Sequence, residues 1–412
     1  MIAYHFPPLA GSSGIQRTLR FVQHLPAFGW QPLVLSANPR AYARTSNDLT
    51  EEIPVDTVVR RAFALDTARH LSLGGRYLGA MARPDRWVSW RFDAVRVGMQ
   101  MIREHRPDAI WSTYPIATAH LIGAELARRT GLPWIADFRD PMAQDGYPAD
   151  PKTWHQYRRI EENALRQAAC STFTTPGAAA EYKERYPEAA ARVQVLENGY
   201  DEETFATAVA THAPQALNPG AITLLHSGIV YPSERDPTQL MVALRRLHDA
   251  GTVTPGRLKV RFRAAVAEEL LCNLAAEHGV QAYVEICPPV PYREALAEML
   301  CADGLLVMQA SNCNAQIPAK LYEYLRAGRP IICLSDSAGD TVGVLRAAGV
   351  DAIARLDDAA DIAELLARFL GRAAPALRTL GNTSFIRAAS RRGRTEALVK
   401  LLDSVTCTAA PA

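Results

Sequence analysis

SNCNAQIPAKLYEYLRAGRPIICLS, residues 311–335, carries more structural instruction than any other stretch of the chain. Pro318 suits the first turn of a helix, Gly328 its C-terminal stop, and Pro330 the entry to a strand, PIICLS. The spacing predicts a short helix whose start faces a cleft. Lys320 and Glu323 are three residues apart and share one helical face, so one cation and one carboxylate project from nearly the same place. A diphosphate leaving group needs positive charge and amide dipoles, and ribose hydroxyls are well held by a carboxylate accepting two hydrogen bonds. Lys320 and Glu323 supply that pair. On spacing alone, an exposed ion pair contributing under about 1 kcal/mol is the simpler account.

Working outward, short apolar runs alternate with helical stretches from end to end. QPLVLSA (31–37), DAIWSTY (108–114), PWIADF (133–138), STFTT (171–175) and VQVLEN (193–198) come first. After Glu197-Asn198-Gly199-Tyr200 the text turns Ala/Thr/Pro-rich through about residue 220, and the rhythm restarts with AITLLHSG (221–228), LKVRFRA (258–264), AYVEIC (282–287) and GLLVMQA (304–310). Strands alternating with helices imply parallel sheets covered on both faces. The expectation is an α/β chain of two doubly wound lobes: residues 1–205, a linker at 206–220, a second lobe at 221–385, and a terminal helical stretch at 386–412 that packs back. Arg387, Arg391, Arg392 and Arg394 lie along that last stretch.

The length of 412 residues exceeds one ordinary domain, and 48% apolar residues beside 21% charged ones exclude a largely disordered chain. With 45 Lys+Arg against 43 Asp+Glu, the net charge of +2 gives no global field to recruit nucleic acid. Seven scattered cysteines, without a CxxC pair or a His cluster at ligand spacing, fit a reducing cytoplasm and no metal site. No apolar run reaches the roughly 20 residues that span a bilayer, and MIAYHFPP does not read as a secretion signal. Met1 falls directly on Ile2-Ala3-Tyr4, which reads as the tail of a strand, so a few further residues are expected upstream.

Three further segments bear on function. Residues 4–20, YHFPPLAGSSGIQRTLR, place Gly11 and Gly14 between a strand end and an amphipathic helix, where the backbone approaches a ligand and the helix start favours negative charge. A structural βα turn explains the same residues, and GxxG is not the dinucleotide fingerprint. Asp137, Arg139 and Asp140 close the strand in IADFRDP, either to meet an acceptor or as a buried Asp–Arg network that shapes the loop. Residues 60–106 hold ten Arg against four acidic side chains, interleaved with Tyr77, Leu78, Trp87, Trp90 and Phe92. That composition suits peripheral contact with anionic lipid, or else a solvated helical face with some buried aromatics.

Taken together, the Gly-loop, IADFRDP, HSGIVYPSERDP and IPAKLYEYLRAGRPI resemble family 4 glycosyltransferases of the GT-B fold, in the same order and spacing over nearly the whole chain. The resemblance implies two Rossmann-like lobes with an interlobe cleft, and a retaining, metal-independent enzyme of bacterial surface-polysaccharide or glycoconjugate assembly. It implies a nucleotide-sugar donor, no cofactor, and a glycan, lipid-linked or small-molecule acceptor, with a cytoplasmic location that extends to the inner face of the membrane. Glu323 falls at the second acidic position of the family's E-x7-E motif, where it would bind ribose, while the first position is Ala315. A neighbouring amide or backbone N–H groups replace that first carboxylate, or catalysis is impaired. The family's Arg and Lys after the first strand of the second lobe correspond to Ile229 and Arg235.

On this reading Arg235, Lys320 and His120 are catalytic, His120 as a hydrogen-bond donor near the sugar. Gly11, Gly14, Gly228, Asn314, Gln316, Ile317, Pro318, Leu321 and Glu323 hold the donor, and Asp137, Arg139 and Asp140 lie on the acceptor side. Two other classes remain open. One is a sugar-nucleotide binder without transferase activity, suggested by Ala315, Ile229 and the glycine-free run Arg261-Phe262-Arg263-Ala264-Ala265. The other is a two-lobed epimerase, which needs an acid/base constellation for which only His120 and scattered acids are available.

Overall fold

The computed structural model describes residues 1–12, 14–211, 215–371 and 382–407. The chain divides into two compact units: Met1–Asn198 with Arg391–Ala412, and Gly199–Ser390.

In the first unit the strands are β1 (Leu33–Ala37), β2 (Val58–Ala62), β3 (Ile110–Thr113), β4 (Trp134–Arg139), β5 (Cys170–Phe173) and β6 (Val193–Val195). All pair in parallel, β1 with β2 and β3 through β6 in chain order. Ile2 joins the two ribbons: it bridges Leu35 on one side and Ser112 on the other, with its N–H donating to the Trp111 carbonyl at 2.7 Å. β2 lay outside the strands expected from the sequence. Its consecutive Arg60 and Arg61 disguise it, because it is an edge strand most of whose side chains are only partly covered. The helix Arg391–Cys407 completes this unit, setting Leu398, Val399, Leu402 and Val405 against Phe21, Leu25 and Trp111.

The second unit holds β7 (Ile222–Ser227), β8 (Leu258–Arg263), β9 (Val284–Cys287), β10 (Gly304–Gln309), β11 (Ile331–Ser335) and β12 (Ile353–Ala354). Their order is β12-β11-β10-β7-β8-β9, all parallel, which is the doubly wound 3-2-1-4-5-6 order. Period-two patterning splits the apolar side chains between the faces. Leu224, Leu306, Met308, Ile332 and Leu334 meet the helices Thr238–Asp249, Glu268–Glu277 and Ala359–Gly371. Leu225, Leu305, Val307, Ile331 and Cys333 meet the helices on the other side.

The stretch expected as a linker from residue 206 is helical through Thr211, in the helix Glu202–Thr211. Phe205 and Ala208, both fully buried, pack into the second unit's core and explain why an Ala/Thr-rich text folds here. Residues 212–214 lie outside the described residues, as do 372–381 and 408–412.

Candidate functional site

The second unit's sheet reverses its winding between β7 and β10, and ligands of open α/β sheets bind outside the carboxyl ends of strands at such a reversal. Beyond β10 the chain enters the helix Lys320–Ala327. The Pro318 carbonyl accepts the Leu321 N–H at 2.9 Å, Gly328 stops the helix in the left-handed conformation at φ 66°, and β11 follows. Gly328 and Pro330 act as read, while Pro318 stands just ahead of the Ala319 N-cap rather than inside the first turn.

Lys320 lies against the end of β7. Its Nζ donates to Nε2 of His226 at 2.9 Å and to the Ser227 carbonyl at 3.0 Å. One turn on, the Tyr324 hydroxyl accepts the Ser227 N–H at 2.8 Å, so one helical face holds both backbone polar groups of Ser227. His226 is fully buried, with Nδ1 3.0 Å from the Leu306 carbonyl. A carbonyl only accepts, so Nδ1 carries the proton and Nε2 presents its lone pair to the ammonium. Burial, reinforced by the Lys320 charge, holds the His226 pKa well below its ordinary value. Burial also pushes the Lys320 ammonium well down, Arg235 adds to the effect and Glu323 opposes it. An ammonium has three N–H donors and two are committed here, which leaves one for an anion.

Arg235 is pinned by a bond from Nη1 to the Ile229 carbonyl at 2.7 Å, and its guanidinium stacks 5.1 Å from the Tyr231 ring centre. Its buried Nε has no partner among the described residues. Glu323 accepts a hydrogen bond from the Tyr292 hydroxyl at 2.7 Å. Gly228, at φ 116°, adopts a backbone conformation closed to other residues, and a Cβ there would stand 3.5 Å from the Lys320 ammonium.

The loop before the helix is braced from beneath. Gln309 Nε2 donates to the carbonyls of Cys313 at 2.7 Å and Gln316 at 3.0 Å, and the Thr341 hydroxyl donates to Gln309 Oε1. The Gln316 side chain is exposed. Asn314 commits its amide donor to Asp336 at 2.8 Å, and its Oδ1 is buried without a partner among the described residues. Ile317 and Leu321, expected as donor contacts, point into the apolar core, where their hydrocarbon side chains are stabilised by burial. Arg261 and Arg263 converge on Glu298, with bonds of 3.1 Å from Arg261 Nη1 and 2.8 Å from Arg263 Nε, and anchor the helix Tyr292–Cys301. The glycine-free run that follows is forced: Ala264 stands at φ 57° and Val266 at φ 66°.

In the first unit, Asp137 is fully buried. Arg17 grips it through Nε at 3.0 Å and Nη2 at 2.8 Å, and the hydroxyls of Thr113 and Thr172 donate to it at 2.8 Å each. Of the two accounts left open for Asp137, the buried Asp–Arg network is the one present, with Arg17 as the partner. Arg139 sits at φ 63°, its Nη1 only 2.8 Å from where a Gly14 Cβ would stand, with Asp140 exposed beside it. Gly14 is therefore demanded by packing against Arg139 and His5, and Gly11, at φ 80° with open space around it, by the turn. His120 is buried rather than displayed at a surface. Trp134 Nε1 donates to Ser112 Oγ at 2.8 Å, and the same hydroxyl lies 2.8 Å from His120 Nδ1. Its Nε2 has no partner among the described residues, and burial lowers the His120 pKa to about 4.

Residues 13–199 match the glycosyl transferase 4-like domain. Solved structures match along the whole chain. A glycosyltransferase from Rickettsia africae has a TM-score of 0.67 at 11% identity, covering 98% of this chain and 97% of its own. HepE from Anabaena, in complex with UDP and glucose, has a TM-score of 0.65 at 12% identity over 98% of each chain. Sucrose-phosphate synthase from Thermosynechococcus elongatus reaches 0.64 at 14%, over 99% and 98%. The chain has the GT-B fold of these structures, with a glycosyl transferase 4-like domain at residues 13–199. No curated protein sequence matches it.

Three side chains around Lys320 and Glu323 were not expected from the sequence: His226, Tyr324 and Tyr292. His226 closes a strand just ahead of Gly228, and Tyr324 repeats the Lys320 face four residues on; those two positions were the available signals. Nothing in the spacing links Tyr292 to Glu323, 31 residues away.

Proposed function

We propose that this chain transfers a sugar from a nucleotide-sugar donor to an acceptor hydroxyl with retention of anomeric configuration and without a metal. The observation that carries the reading is the convergence of Lys320 and Arg235 at the carboxyl end of β7, with Glu323 one turn beyond Lys320. The remaining Lys320 N–H and the Arg235 guanidinium are the groups to take the diphosphate, and the Glu323 carboxylate is the group to take the ribose diol. The bond from the anomeric carbon to the diphosphate oxygen breaks. The acceptor oxygen bonds on the same face, and its proton passes to the departing phosphate oxygen. Charge developing on that leaving group is the main target of catalysis, since only interactions stronger in the transition state accelerate the step.

The acceptor is a glycan, a lipid-linked sugar or a small hydroxyl compound, which fits polysaccharide or glycoconjugate synthesis. A cytoplasmic site of action agrees with seven thiols that stand free. HepE, which binds UDP and UDP-glucose, supports the donor class through its shared fold. A thermal-shift panel of UDP, GDP, ADP, CMP and dTDP sugars tests the donor. A site ligand at 100 times its Kd stabilises by about 2.7 kcal/mol, so a panel with no shift removes the reading. NMR of the product's anomeric proton tests retention, and inversion would exclude it.

A second reading is favoured by Ala315 and by the commitment of the Asn314 amide donor to Asp336, which leave the first acidic position of the motif without a carboxylate. On that reading the chain binds sugar nucleotide without turnover. A nucleotide-dependent thermal shift, with no transfer from the stabilising donor to any acceptor in lipid and glycan extracts, would establish it.

A further inference from the structure

The first unit carries a concave, arginine-lined surface that includes none of the candidate donor residues. Between Asp66 and Asp85 the chain reads TARHLSLGGRYLGAMARP, with Arg69, Arg76 and Arg83 but no acidic residue. Its ends are tied down: the Thr67 N–H donates to the Arg86 carbonyl at 2.9 Å and the Thr67 hydroxyl to the Met81 carbonyl at 2.8 Å. Between them Gly74 and Gly75, at φ 56° and 76°, make a two-residue turn across which Leu73 and Arg76 exchange backbone bonds. The turn holds Leu73 at 89% exposure, and Leu78 stands at 73%. A folded chain gains nothing in its own core from apolar side chains held out this way, and a cluster of them marks an interaction surface.

Next to this segment lies a cavity of about 490 Å³. Arg83 belongs to both, since its Nη2 lies 3.0 Å from where a Gly79 Cβ would stand. Arg83, Arg91, Arg159 and Arg166 surround the cavity, while Val88 and Ile160 give it an apolar lining. Two carboxylates are near: Glu162 on the rim, which accepts from Arg158 Nε at 3.0 Å, and Asp150, which accepts from Arg83 Nε at 3.2 Å. Arg166 Nη2 reaches only Asn163 Oδ1, at 3.3 Å. The Arg91 and Arg159 side chains have no hydrogen-bond or ion-pair partner among the described residues. Phe92, next to Arg91, is 77% exposed.

We propose that this face docks the chain on a bilayer containing anionic phospholipid. The cavity takes a lipid phosphate between Arg91 and Arg159, while Leu73, Leu78 and Phe92 enter the headgroup layer. Guanidinium matches phosphate bidentately, an apolar lining suits the glycerol and acyl carbons next to it, and the acid-free segment avoids repulsion from the surface. Of the aromatics expected to touch lipid, Trp90 is excluded, because it is fully buried in the first unit's core. The inference does not depend on the transfer reading, as its readout is binding to lipid.

The test is flotation of the full chain with vesicles of phosphatidylcholine alone and of phosphatidylcholine with phosphatidylglycerol, at low and high salt. Retention on the anionic vesicles only is expected, weakened by salt. R91E/R159E should reduce it at least about tenfold and L73S/L78S severalfold, with melting temperatures unchanged. If R91E/R159E melts lower, R91Q/R159Q replaces it with the same expected direction. Equal retention on neutral vesicles, no retention on either, or indifference to both variants overturns the proposal. Inorganic phosphate that protects the cavity arginines without any vesicle retention also overturns it, and assigns the cavity to a free anion.

Discussion

Lys320 is held where charge is unfavourable to the folded chain. Its folded pKa lies below the unfolded one, so the unfolded state binds the proton more readily, and the ammonium opposes folding at neutral pH. Lys320→Met should therefore raise the melting temperature while lowering turnover by about a hundredfold, the usual loss when a group that stabilises developing charge is removed. Calorimetry and initial rates on one preparation check both signs. Ala264 offers a second test. An L-residue in the left-handed region is strained by about 1–2 kcal/mol, more than the chain entropy a glycine adds, so Ala264→Gly should raise the urea midpoint. Lys320 and Glu323 were legible because Pro318 and Gly328 fix the helix phase by local rules. His226 was not, because its meaning comes from a contact with Lys320, 94 residues away. Asp137 was ambiguous for the same reason. A carboxylate at a strand end looks identical in sequence whether it faces a ligand or Arg17, 120 residues earlier.

Among the elements, the helix Lys320–Ala327 has only eight residues, too few to be stable on intrinsic propensity. Its position rests on apolar burial and on the bond between the Tyr324 hydroxyl and the Ser227 N–H. Tyr324→Phe leaves that buried N–H without its acceptor, at a cost of about 1–3 kcal/mol. It should lower the denaturant midpoint and reduce turnover, because Lys320 shares the same face. Guanidinium unfolding monitored by far-ultraviolet circular dichroism reads the first effect, because all six tryptophans lie in the first unit. Strands with continuous apolar runs, such as β10 and β11, announced themselves. β2 did not, because its arginines suit an edge, and β12 is a two-residue strand too short to carry a period. The helix Glu202–Thr211 was hidden by composition, since its fold depends on Phe205 and Ala208 finding a core supplied by later sequence.

At the scale of the molecule, buried neutral imidazoles set the response to acid. His5 and His120 both have pKa values lowered to about 4 by burial, against about 6.5 when unfolded. Below 6.5 the unfolded chain takes up protons that the folded chain refuses, so stability is full above that pH and falls progressively to pH 4. His120 alone contributes on the order of 3 kcal/mol to the loss. Urea midpoints measured across this range should decline, and the His120 ring carbon shifts should show no titration above pH 5. The terminal helix Arg391–Cys407 belongs to the first unit, where Trp30 Nε1 donates to Asp403 at 2.9 Å and Arg394 Nε to the Asn198 carbonyl at 3.0 Å. Ending the chain at residue 390 uncovers Phe21, Leu25 and Trp111, so this truncation should lower the first unit's melting transition by several degrees. During synthesis this places the two units in an unusual order. The segment that starts first is finished last, because its closing piece leaves the ribosome only after all of Gly199–Ser390 has been made. The second unit can mature while the first still shows an open apolar seam, and a nascent chain stalled near residue 390 would be a substrate for chaperones that bind such seams.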